Sequence, residues 1–121
     1  KLMRSIATGY VSYYNKRYKR VGPLFQGRYK AAPINSDGYW QHISRYIHLN
    51  PIDLGEDYKN YAYSSYMSYV GERSTKWLSS SFIMDAFSSV EEYETFVESY
   101  IPHMKELKDI KDVLANSKEL A

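Results

Sequence analysis

The sequence contains no cysteine. Disulfides, thiolate nucleophiles and cysteine-type zinc sites are thereby excluded, and the absence fits a reducing compartment, with the cytoplasm as the default. No apolar run approaches the roughly 20 residues that a membrane-spanning helix needs, and residues 1–10 carry no signal-peptide hydrophobic stretch, so no membrane partner is expected. The chain opens on Lys1 instead of Met, so its natural start is expected upstream. Glycine-rich phosphate loops, paired carboxylates at useful spacing and a definable Ser/His/Asp arrangement are missing too. The three histidines, His42, His48 and His103, lie too far apart for an HxH pair, and each alone is more often structural than a metal ligand. There is no internal repeat and no low-complexity tract.

What is present suits a folded domain. Hydrophobic residues make up 44% and charged residues 25% of 121 positions, close to globular averages, so a real core is expected. The net charge of +2 conceals two halves of opposite sign. Residues 1–50 hold nine Lys/Arg against the single acid Asp37, a net of +8, whereas residues 51–121 hold seven bases against thirteen acids, a net of −6. Twelve of the fourteen tyrosines fall between Tyr10 and Tyr69. Cations interleaved with aromatics suit a nucleic-acid surface, and a tyrosine-rich core beneath a solvated charged face has the same composition.

Leu2, Ile6, Tyr10, Tyr13 and Tyr14 recur at three- and four-residue spacing and predict an amphipathic helix from Leu2 to about Tyr18, stopped by Gly22-Pro23. Lys16, Arg17, Lys19 and Arg20 at its end suit the helix dipole, yet four cations in five positions exceed that need and are candidate phosphate contacts. Leu24 to Ala32 alternates as a strand does, with Phe25, Tyr29 and Ala31 on a packed face and Gln26, Arg28 and Lys30 on a cationic, DNA-facing one. Ser36 or Asp37 can cap a helix from Gly38 to about Asn50, ended by Pro51. Trp40, Ile43 and Ile47 are its expected apolar stripe, and His42, Tyr46 and Asn50 share a second face at four-residue steps.

Further on, Ser64 or Ser65 can start a short helix through Val70 that Gly71 ends, and Ser79 to Ser81 can cap another reaching Phe87. Ser89 with Glu92 makes a capping box for a helix that buries Tyr93, Phe96, Val97 and Tyr100 and closes at Pro102. A last helix uses Met104, Leu107, Ile110, Val113 and Leu114. Glu91, Glu92, Glu94 and Glu98 would repel phosphates, which argues against a helix-turn-helix here.

Three strings carry more information than composition: VGPLFQGRYK at residues 21–30, SRYIHLNP at 44–51 and YAYSSYMSYVG at 61–71. In this order they resemble the REP-associated tyrosine transposases, relatives of IS200-type single-tyrosine enzymes, over Arg4 to about Tyr100. The resemblance implies an α+β fold, mostly helical in this stretch: residues 1–73 as the C-terminal half of a ferredoxin-like HUH domain, and residues 74–121 as an acidic α-helical extension. It implies metal-dependent cleavage and rejoining of single-stranded or hairpin DNA through a 5′-phosphotyrosine, with Tyr46 as nucleophile. A divalent metal, Mg²⁺ or Mn²⁺, would be bound by an HxH pair that these residues do not contain, together with Asn50 by position. The chain alone would then be inactive. Because a free phenol ionises only near pH 10, such a nucleophile needs the phosphate polarised and aligned for it. Single-stranded or hairpin DNA is the expected partner, held by Lys16, Arg17, Lys19, Arg20, Gln26, Arg28, Lys30 and Arg45, with a homodimer as candidate assembly. The main rival is a non-catalytic module for single-stranded nucleic acid; a structural or interaction protein comes third.

Overall fold

The computed structural model describes residues 1–29, 31, 33–34 and 38–105, and these divide into two compact units, Lys1–Pro33 and Ile34–Ala121. The described residues form helices and turns with no strand. This departs from the α+β expectation over the described part of Leu24 to Ala32. Gly27 lies at φ 92° and its N–H donates to the Phe25 carbonyl at 3.2 Å, a tight turn that breaks the alternation a strand needs. Phe25 and Tyr29, assigned to a packed face, are 53% and 66% exposed, and Arg28 is exposed beside them. Without a neighbouring strand to take the ladder bonds, apolar alternation alone does not make a sheet.

In the first unit, α1 (Leu2–Tyr18) matches the expected span. It stops earlier than Gly22-Pro23: Lys19 adopts the left-handed conformation at φ 51°, a position that glycine usually takes, and its N–H donates to the Asn15 carbonyl. The Arg20 N–H also donates to that carbonyl at 2.9 Å, and the Asn15 side-chain amide donates to the Gly22 carbonyl at 2.9 Å. A single asparagine thus holds both sides of the turn. Of the expected apolar stripe, Leu2, Ile6, Tyr10 and Tyr13 are exposed and Tyr14 is half-buried.

The second unit is organised by α2 (Tyr39–Leu49), a 3-10 turn (Asn50–Leu54), α3 (Tyr66–Tyr69), α4 (Ser81–Met84) and α5 (Val90–Glu98). Pro51 tightens the end of α2 into the 3-10 turn, and Gly55 at φ 76° closes it. Ser89 Oγ accepts the Glu92 N–H at 3.1 Å and Glu92 Oε2 accepts the Ser88 N–H at 2.6 Å, the reciprocal cap expected of this pair, shifted back by one residue on the return bond. Pro102 does not close α5, which ends at Glu98 with Ser99 as its C-cap; residues 101–105 are helical again, with the proline in their first turn. The caps proposed at Ser36 and Asp37 lie outside the described residues, as do Leu107, Ile110, Val113 and Leu114 of the last helix; among described residues Gly38 stands at the N-cap of α2 with no side-chain cap.

Leu49, Tyr58, Tyr66, Ile83, Tyr93, Val97 and Met104 make up the core, with Tyr69, Phe87 and Phe96 packed around it. Tyrosine dominates, and hydroxyls from before Ser74 meet carboxylates from after it. Tyr66 Oη donates to Glu94 at 3.3 Å, Tyr58 Oη to Glu98 at 3.4 Å, and Lys59 Nζ pairs with Glu98 at 2.7 Å. The break between units accordingly falls at Pro33, while the segments before and after Ser74 share one core.

Candidate functional site around Tyr46

The buried side of α2 is not the apolar stripe of Trp40, Ile43 and Ile47; it is Ser44, His48 and Leu49. Ile47 is 53% exposed, and Trp40 lies at the surface with its ring edge-on to Phe82 at 5.5 Å. Polar residues take the inward positions because α5 and the residues before α3 meet them with matching donors and acceptors. Ser44 Oγ donates to the Gln41 carbonyl at 2.7 Å and accepts from Tyr93 Oη at 3.0 Å. His48 Nδ1 lies 2.8 Å from Tyr93 Oη and Nε2 lies 2.8 Å from Ser65 Oγ. Since the serine hydrogen goes to a carbonyl and the tyrosine hydrogen to the serine, Nδ1 carries the imidazole hydrogen and Nε2 accepts from Ser65. His48 is closed in by the edges and faces of Tyr66, Tyr69 and Tyr93, and this burial pushes its pKa down to about 4. Burial also raises the phenols of Tyr66, Tyr69 and Tyr93 above their ordinary value.

Arg45, expected to contact DNA, has its guanidinium 4.4 Å from the Phe96 ring centre and 4.3 Å from that of Tyr100. Its Nη1 donates to the Phe96 carbonyl at 3.4 Å, and its Nε is buried without a partner. Burial lowers its pKa, opposed by the Tyr100 phenol. The side chain therefore fastens α2 to α5. Arg45→Ala is expected to destabilise this unit by about 2 kcal/mol, and Arg45→Lys by about 1, as two ring contacts are lost or weakened; urea unfolding of the variants measures it.

With the inward side of α2 pinned in this way, His42, Tyr46 and Asn50 all face outward and are exposed. Tyr46 is 49% exposed. It shares a hollow of about 240 Å³ with Tyr39, His42, Ile43, Arg45 and Tyr100. An imidazole one turn from a phenol is chemically able to take its proton, and the arginine brings positive charge to the hollow's wall. Asn50, one turn beyond Tyr46, offers one amide oxygen. His42 stands two turns from Asn50, about 12 Å along the axis. Among the described residues no three His, Asp or Glu side chains gather to hold a metal ion. These residues do not by themselves fit a divalent cation.

In the first unit, Lys16, Arg17, Lys19 and Arg20 are exposed around the end of α1. They stand among rings: Tyr14 and Tyr18 are 4.4 Å apart, Arg17 lies 5.9 Å from the Tyr18 ring and Arg20 5.8 Å from that of Tyr14. Gln26 and Arg28 follow on the exposed turn, and Lys30 is outside the described residues. The structure thus brings Tyr46 to Asn50 and His42, and the cations of α1 to their tyrosines. His48 has the structural role that a lone histidine more often has, but its inward position is hidden in the sequence: a helical face of serine and histidine scores as polar, and only the later Tyr93 supplies the partner that lets it go inward. Among the described residues no helix is long and apolar enough to cross a membrane. No protein-family model matches the sequence, and no curated protein or solved structure matches it significantly.

Proposed function

We propose that this chain is the nucleophile-bearing portion of a single-tyrosine DNA transposase of the REP-associated, IS200-like kind, belonging in the whole enzyme to an α+β, ferredoxin-like HUH domain. The observation that carries the reading is the outward presentation of Tyr46 on a helix whose opposite side is locked by a hydrogen-bond chain, with Asn50 one turn along the same face. Tyr46 Oη would form a bond to the scissile phosphorus as the bond from phosphorus to the 3′-oxygen breaks. The phenol's proton leaves, with His42 as its candidate acceptor, and the departing 3′-oxygen gains one, so a 5′-phosphotyrosine and a 3′-OH result. The bond to tyrosine keeps the energy of the phosphodiester, and the reverse attack rejoins the strand. In relatives a divalent ion polarises the phosphate. Asn50 is the position in this chain that would contribute to holding it.

The rival reading, a binding module without chemistry, is favoured by the ring-and-cation cluster on α1. Both readings require single-stranded or hairpin DNA to bind. Affinity should fall by about 0.7 log unit per log unit of salt for each phosphate neutralised. Replacing Arg17 and Arg20 together by alanine should weaken binding and make the salt slope shallower by about 1.4. Fluorescence anisotropy of labelled single strands between low and moderate salt measures both. Salt-independent binding would reject either reading, and a covalent adduct on a denaturing gel separates them.

A further inference from the structure

A second hollow, of about 550 Å³, is lined by Asn50, one helical turn from Tyr46, within the same unit. Its size is that of a small-ligand site. Asn50, Tyr61, Tyr63, Ser68, Arg73 and Trp77 contribute to its wall. Two of the rings are almost wholly uncovered, Trp77 at 85% and Tyr63 at 91%, and Tyr61 meets Tyr63 edge-on at 5.8 Å. Large aromatic side chains left so bare lose the contacts that burial would give them, and each presents a flat face to whatever enters.

The wall beneath them is built firmly. Arg73 Nη1 donates to the Ala62 carbonyl at 3.0 Å, Nη2 to the Ser64 carbonyl, and Nε to Ser68 Oγ at 3.4 Å, so one guanidinium holds the loop that carries both tyrosines. Ser68 Oγ is also 2.8 Å from Thr75 Oγ1. Its charge is unusual for its place. Residues 51–121 carry a net of −6, yet among the described residues that line this hollow none is acidic and one is a cation. Stacking faces, an amide that both donates and accepts, hydroxyls and a wall free of carboxylates together suit a nucleobase on a polyanionic strand.

Resting on the reading of Tyr46 as a DNA nucleophile, we propose that this hollow receives one unpaired nucleobase of the bound strand, stacked on Trp77 and Tyr63 with its edge toward Asn50. Tyr46 and Asn50 are a turn apart, about 6 Å along the axis. The base next to the phosphate at Tyr46 is therefore the one that enters.

The experiment uses the whole chain carrying Trp40→Phe, which leaves Trp77 as the sole tryptophan. A 20-nucleotide single strand, the same strand as a duplex and a 20-unit abasic strand are the probes, with binding followed separately by anisotropy. The single strand should quench Trp77 emission, and the duplex and abasic strand should not. Trp77→Ala and Tyr63→Ala should each lower single-strand affinity about tenfold and leave abasic-strand affinity unchanged. Single-strand binding without quenching, or with affinity untouched by both variants, overturns the base pocket and leaves the nucleophile reading standing. Equal quenching by the abasic strand shows a phosphate site instead, and concentration-dependent quenching without DNA shows a second copy as the occupant; either rejects the proposal. Failure of every strand to bind removes both readings together.

Discussion

Tyr46→Phe is expected to abolish a covalent DNA adduct that the unaltered residue forms when a strand with the HxH pair precedes Lys1 and Mg²⁺ or Mn²⁺ is present. Phenylalanine keeps the ring in its hollow beside Tyr39 and Tyr100 and removes the only oxygen that can attack phosphorus from that position. Since Tyr46 makes no hydrogen bond within the described residues, stability and DNA affinity should change by less than about 0.5 kcal/mol. The two effects together are diagnostic, because a merely structural tyrosine would lose folding or binding along with the adduct. Labelled DNA on a denaturing gel, followed by peptide mapping, reads the outcome. An adduct that survives the substitution, or maps to another of the fourteen tyrosines, assigns the nucleophile elsewhere. Asn50→Ala should weaken metal dependence with the nucleophile still in place.

The largest effect on stability is expected from acid, through His48. Its folded pKa of about 4 lies below the ordinary value of 6.5, so between those limits the unfolded chain binds the proton that the folded chain refuses. Stability is therefore full above pH 6.5, falls as pH drops toward 4, and loses about 3 kcal/mol in all. Protonation would put a hydrogen on Nε2, which accepts from Ser65, and place a charge among Tyr66, Tyr69 and Tyr93 with no carboxylate hydrogen-bonded to it; Glu94 reaches only Tyr66 Oη. Asp57, Glu91 and Glu98 have pKa values lowered by hydrogen bonds, so the stability they add is lost as pH falls through the ordinary carboxylate range and below, and the step from pH 7 to 5.5 is the one that reports His48. Urea unfolding at pH 7, 5.5 and 4.5 measures the slope. His48→Gln should lower stability at pH 7 and flatten it between pH 6.5 and 4; an unchanged slope in that variant would place the acid sensitivity in another group.

Local signals determined much of this protein. The period of Leu2 to Tyr18 yields a helix of the expected length, Ser89 and Glu92 form their cap, Gly71 follows the short third helix, and the four-residue spacing of His42, Tyr46 and Asn50 does place them on one outward face. These depend on backbone geometry within a turn or two, which neighbouring residues dictate. The strand expected at Leu24 to Ala32 depends on a partner strand, and Gly27 instead turns the chain on itself. The inward face of α2 departs from expectation for a related reason: hydrophobicity alone favours Trp40, Ile43 and Ile47, but Tyr93, 45 residues after His48, supplies the hydroxyl that makes a serine and histidine face cheaper to bury. Arg45 reads as a surface cation until Phe96 and Tyr100 close around it. The sequence alone determined which residues carry hydroxyl, imidazole and charge and at what helical spacing; only the tertiary structure decided which of them point inward, because burial of a polar group depends on partners that are distant along the chain.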